Sequence, residues 1–121
     1  MEKTEIINKC LNSLKELNEL EKEKLKLQGF TNECFFIDNE LTEDYEFKVI
    51  VKSKYVYINA GNSGVFMICL EDLNTKHYGL FEKGSIFNIK SYGTPDFHKY
   101  LGNIRDIDLK FLYSKRYNYL R

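Results

Sequence analysis

Near residue 30 the hydrophobic period of this chain changes. Before that point apolar residues recur every three to four positions; after it they alternate with polar ones or run together in short blocks. Side chains repeat every 3.6 residues on a helix and every two on a strand, so this switch commits the first quarter of the chain to a helix and its middle to strands.

Residues 1–27 carry the stripe Ile7, Cys10, Leu14 and Leu17, widened by Ile6, Leu11 and Leu20. That spacing predicts one amphipathic helix. Opposite charges at Glu5–Lys9, Glu19–Lys22 and Glu23–Lys26 fall three or four apart on its outer face, each pair worth a few tenths of a kcal/mol. Thr4 reads as the N-cap and Gly29 as a left-handed stop. The stripe thins after Leu20, so the last turns are expected in solvent or against a partner.

From Phe30 to Tyr92 the pattern is that of strands. Tyr45, Phe47, Val49 and Val51 alternate with Glu46, Lys48, Ile50 and Lys52, as a half-buried strand requires. Tyr55–Ile58 follow after Ser53-Lys54, Gly61-Asn62-Ser63-Gly64 is a turn, and the apolar run Val65–Leu70 reads as the central strand. His77–Glu82 and Ile86–Ile89 complete the set. Short polar connections make an antiparallel meander the simplest topology. Thr94-Pro95-Asp96 has the form of a helix start, ended by Gly102. The tail from Asp106 fits either period; acids first and bases last favour a helix. The expected fold is therefore α+β and single-domain over residues 1–121: an N-terminal amphipathic helix, a five- or six-stranded antiparallel meander, and two C-terminal helices packed on one face.

The formal charge sums to zero, but residues 1–46 hold twelve acids against six bases and residues 47–121 the reverse. This segregation predicts a dipolar surface able to steer a charged partner. No apolar run approaches the ~20 residues that span a bilayer, and the mixed-charge N-terminus is unlike a secretory leader. A cytoplasmic protein without a membrane partner is expected. Cys10, Cys34 and Cys69 are odd in number and set among apolar neighbours, which reads as three reduced, buried thiols.

Motifs for chemistry are sparse. His77 and His98 form no HExxH or His-x-His pattern, there is no CxxC, and no cofactor or metal is expected. Gly61-Asn62-Ser63-Gly64 leads into a strand, whereas a phosphate loop must open a helix. Glu33–Glu46 holds six acids and no base; its spacing does not fit a calcium loop. Asp38, Glu40, Glu43 and Asp44 are the first candidate docking surface within it. Lys110–Arg121 holds four bases and no acid, interleaved with aromatic residues. Lys110, Tyr113, Lys115, Arg116 and Tyr117 thus form a candidate nucleic-acid surface, where rings stack on bases and cations meet phosphates.

Nine tyrosines and nine phenylalanines without a tryptophan tilt the reading toward binding, since tyrosine combines contact area with a polar handle. The leading expectation is a non-enzymatic binding protein that docks on a protein or nucleoprotein partner, in its concrete form a phage or mobile-element inhibitor, anti-CRISPR-like or toxin-immunity-like. The alternatives are an RNA- or single-stranded-DNA-binding module using the C-terminus, and a small enzyme with a sheet-lined pocket drawing on Cys34, Cys69, His77 and His98.

Overall fold

A computed structural model describes residues 1–91 and 94–116, without the side chains of Ser91 and Arg116. Helix α1 (Lys3–Leu27) opens the chain. Its cap is not Thr4 but Glu2, whose carboxylate takes the backbone N–H of Glu5 while the Glu5 side chain returns to the Glu2 N–H. This reciprocal box satisfies two otherwise orphaned donors, something a threonine two residues further in cannot do for a helix already begun. At the other end Gly29 lies at φ 83°, the Gly29 N–H donates to the Lys26 carbonyl, and the Phe30 N–H donates to the Leu25 carbonyl at 2.8 Å. That double closure is the Schellman arrangement, and the left-handed residue in it is the glycine the sequence offers.

A small hairpin follows, β1 (Phe36–Ile37) and β2 (Glu40–Leu41). Its two central residues, Asp38 and Asn39, both have positive φ, as a twist-matched two-residue turn demands. Phe35 packs on Phe30 and Tyr45 at ring distances of 5.1 and 4.6 Å, which holds this hairpin to the rest.

The main sheet is an antiparallel meander of β3 (Phe47–Val51), β4 (Tyr55–Ala60), β5 (Ser63–Cys69), β8 (Ser85–Ser91) and β9 (Thr94–Asn103), in that spatial order. The apolar run expected at the centre is β5, buried on both faces from Val65 to Cys69. Between β5 and β8 the chain leaves the sheet as a second hairpin, β6 (Leu73–Thr75) and β7 (Gly79–Phe81). Helix α2 (Leu109–Arg116) ends the described chain. The helix-facing core joins Ile6, Cys10, Leu17 and Leu20 of α1 to Phe47, Val56, Ile58, Phe66, Ile68 and Ile86 of the sheet, with Leu109 and Tyr113 of α2 closing one side. Each fully buried large side chain here contributes about 1.5–3 kcal/mol of transfer free energy.

Only one C-terminal helix is present among the described residues. The segment expected as the first of two is β9, an edge strand. Thr94-Pro95-Asp96 resembles a helix cap locally, but a helix stopped at Gly102 would span about two turns, too short to hold on its own. As a strand the same residues complete the hydrogen bonds of β8, and Pro95 sits near the start of an edge strand, where a missing N–H costs least. The strand is irregular: its register with β8 shifts three times. The Leu20-to-Leu27 end of α1 is also less open than expected, because Glu21 and Leu25 are buried while Leu27 is exposed.

The β4–β5 turn is sterically fixed. Gly61 has φ 60° and its Cβ position is occupied by the backbone carbonyl of Asp44. A Gly61→Ala substitution is expected to destabilise the fold by at least about 2 kcal/mol, combining backbone strain with a clash against main chain; urea unfolding of the two proteins measures it.

Candidate functional site: the helix-free sheet face

Alternation along the strands sends one set of side chains toward the helices and the other set to the opposite face. Strand register aligns that second set into a row crossing all five strands of the sheet: Ile50, Tyr57, Met67, Phe87 and Tyr100. Neither helix covers it. In a second row Lys48 pairs with Asn59 and Asn59 with Gly64, whose missing side chain leaves room for Ile89. Tyr55 lies opposite Cys69 and its ring is 6.5 Å from that of Tyr57.

The two ends of this face differ. Toward β9 the β6–β7 hairpin folds over the sheet. Phe81 meets Phe87 edge-on at 4.9 Å and stacks on Phe97 at 5.8 Å. Met67 and Phe87 are thereby sealed at 0% exposure. Tyr78, at the hairpin tip, packs on Phe97 and shares a 2.7 Å hydrogen bond with His98 Nε2. Tyr78 and Tyr100 remain 43% and 48% exposed. Between β7 and β9 a groove of about 320 Å³ runs along Leu80, Phe81, Tyr100 and Asn103. Toward β3 no such hairpin lies over the sheet among the described residues, and Ile50, Tyr55 and Tyr57 are half-buried. Burial raises the Tyr55 phenol above its ordinary range, with smaller contributions from Cys69 and Tyr57.

The residues singled out by sequence fall elsewhere. Asp38, Glu40, Glu43 and Asp44 are all exposed, on or just after the β1–β2 hairpin. They are not free anions throughout: Glu40 pairs with Lys22 at 2.8 Å, and Glu43 reaches Lys48 at 3.9 Å. The C-terminal set is divided. Lys110 pairs with Glu16 at 3.4 Å, and Lys115 lies 6.0 Å from the Phe111 ring. Tyr113 is buried, so its ring offers no face for stacking on a base. Tyr117 and the Arg116 side chain lie outside the described residues.

What Tyr113 does instead is close a polar knot between the helices. Its hydroxyl donates to Glu21 Oε2, a carboxylate with 3% of its residue surface exposed, and Lys24 Nζ meets Glu21 Oε1 at 2.9 Å. Phe47 packs edge-on against the Tyr113 ring at 5.0 Å. A buried carboxylate needs such partners because desolvation costs it several kcal/mol otherwise. Tyr113→Phe keeps the ring but strips Glu21 of a donor, and is expected to cost about 1.5–3 kcal/mol in urea unfolding.

Two of the three thiols offer little to nucleophilic chemistry. Cys10 and Cys69 are buried, and burial pushes both thiols up to about 12. Cys34 differs from expectation in being exposed. A thiolate reagent at neutral pH should therefore label one cysteine in the folded protein and all three after denaturation, which mass spectrometry distinguishes. Among the described residues no cluster of His, Cys, Asp and Glu is arranged to hold a metal, and no helix is long and apolar enough to cross a membrane.

Comparison with known proteins adds no relative: no family model, curated protein or solved structure matches this chain. The helix-free face was missed by sequence reasoning because its members lie on five strands and become neighbours only through register. The available signal was the alternation in 47–58, which marks Ile50, Tyr55 and Tyr57 as one face but not what lies opposite them.

Proposed function

We propose that this protein is a non-enzymatic module that docks on a macromolecular partner through the helix-free face of its sheet. One observation carries the reading: the cross-sheet row from Ile50 to Tyr100, flanked by Tyr55 and Tyr78, keeps aromatic surface at the protein boundary. Aromatic side chains of this kind supply much of the energy at interfaces, because a ring buries a large area with few rotatable bonds. The hairpin fixes the platform at one end, so little ordering entropy is lost when a partner arrives.

A second reading rests on the opposite end of the molecule. Leu27, Phe30 and Ile37 are exposed in this part of the chain, where Ile37 pairs across the hairpin with Glu40 and the exposed Glu43 and Asp44 follow. An apolar patch rimmed by acids suits a basic protein surface. The inhibitor form of the docking idea, phage- or mobile-element-encoded, would use this second surface through Asp38, Glu40, Glu43 and Asp44.

One experiment separates the two surfaces. A photo-crosslinking amino acid is placed in turn at Tyr55, Tyr100, Glu43 and the outward Lys15 of α1, and irradiated in the host cell. The sheet-face reading expects specific adducts from Tyr55 and Tyr100 and none from Lys15. Adducts from Glu43 alone would move the docking surface to the acidic end. Equal yields at all four positions would remove both.

A further inference from the structure

We propose, resting on the sheet-face docking above, that the occupant of this face is a single-stranded nucleic acid. Its charge and its rings point the same way. Residues 47–69, the strands β3 to β5 with their turns, contain Lys48, Lys52 and Lys54 and no acid, although Glu71 just beyond lies within electrostatic reach of Lys54. Lys48 falls on the helix-free side by alternation, since Phe47 and Val49 on either side of it belong to the helix-facing core. Lys52 and Lys54 are exposed in the β3–β4 turn, next to Tyr55. At the far end the β6–β7 turn adds Lys76 and His77, both exposed, beside Tyr78. Among the described residues the carboxylate that meets Lys48 is that of Glu43, at 3.9 Å and on a side chain 85% exposed. Such a loose, solvated pair gives way readily to a phosphate, because exposed pairs contribute at most about 1 kcal/mol.

Between these cationic ends lie the rings. Five strands about 4.8 Å apart span roughly 19 Å from β3 to β9, room for a few extended nucleotides that lie on the open sheet at Tyr55 and Tyr57 and pass over the β6–β7 hairpin, whose Phe81 covers Phe87, before reaching Tyr100. Tyr55 stands at one end of that path, Tyr100 and Tyr78 at the other, each with ring surface at the protein boundary. Unpaired bases stack on such faces whatever their sequence, while lysines follow the backbone phosphates. A duplex hides its base faces and cannot use the platform. A protein partner with an acidic surface could use the same rings and lysines; what favours a nucleic acid is that the exposed cations Lys52, Lys54 and Lys76 stand at both ends of the ring path, where a continuous polyanionic backbone running along it would meet them.

The test uses the full chain and three fluorescent probes: a 12-nucleotide oligouridine, a 12-nucleotide oligothymidine and a 12-base-pair duplex, read by anisotropy from about 50 to 200 mM salt. The single strands should bind more tightly than the duplex, with a log–log salt slope near about −2, the value for roughly three neutralised phosphates. Tyr55→Ala and Tyr100→Ala should each weaken binding roughly tenfold. Lys52→Glu with Lys54→Glu, both at exposed turn positions, should flatten the slope by about 1.4. Lys15→Glu on the outer face of α1 should change nothing. Failure of all probes at low salt overturns the inference, as does binding indifferent to the tyrosine and lysine changes, or a duplex held as tightly as the single strands. If the probes fail but Tyr55 and Tyr100 still crosslink to a protein in cells, the nucleic acid is excluded and the docking face stands. If crosslinking fails as well, both fall.

Discussion

A five-stranded sheet has two faces to keep from water, and among the described residues this chain provides helices for one of them. Much of the rest of the structure follows from that imbalance. Helices α1 and α2 take the face lined by Val56, Ile58, Phe66, Ile68 and Ile86. On the other face the central strand is as apolar as before, so Met67 and Phe87 need cover from another source. The β6–β7 hairpin supplies it, laying Phe81 on Phe87 and Phe97. Its three-residue strands are too short to reach across the sheet. The part nearest β3 is therefore left with half-buried Ile50 beside tyrosine and lysine, the last two being residues that tolerate water while keeping apolar area available. The candidate binding surface is thus the remainder of a packing problem that the hairpin solves only in part.

Polar groups enforce the arrangement at its margins. The Glu21, Lys24 and Tyr113 knot binds the two helices where they meet the edge strand β3, and Asn18 reaches down to the Phe47 N–H at 2.7 Å. At the opposite edge Asn103 accepts from the Arg105 N–H and donates to the Lys83 carbonyl, tying the β7–β8 turn to the end of β9. Every buried side-chain nitrogen and oxygen among the described residues has a partner. Unsatisfied groups in these places would cost more than their bonds contribute, so the contacts specify geometry as much as they add stability.

Much of this was legible in the chain. The helical stripe of residues 1–27, the alternation through 47–51, the apolar run of the central strand and the turn at Gly61 each announce themselves over fewer than about thirty residues, the range on which periodicity and turn chemistry act. The errors share the opposite character. Thr94-Pro95-Asp96 reads as a helix start because capping is a local code; it is a strand because β8 has an open edge beside it. Tyr113 looked like a ring for stacking on bases because it sits among lysines; it is buried because Glu21, far away in sequence, requires its hydroxyl. The acids from Asp38 to Asp44 are exposed as a docking surface requires, and what the sequence did not show is that two of them meet lysines on α1 and β3.

By itself, then, the sequence determined the order and kind of most elements, the sign of charge in each half, and the scarcity of catalytic motifs. These depend on interactions between residues within a few turns or one hairpin of each other. Which face of the sheet stays open, which tyrosines line it and which lysines border it were decided only by the tertiary structure. That face is assembled by register between successive neighbouring strands, which brings Ile50 and Tyr100, fifty residues apart, into one row, and hydrogen-bonded ladders set such register cooperatively rather than residue by residue.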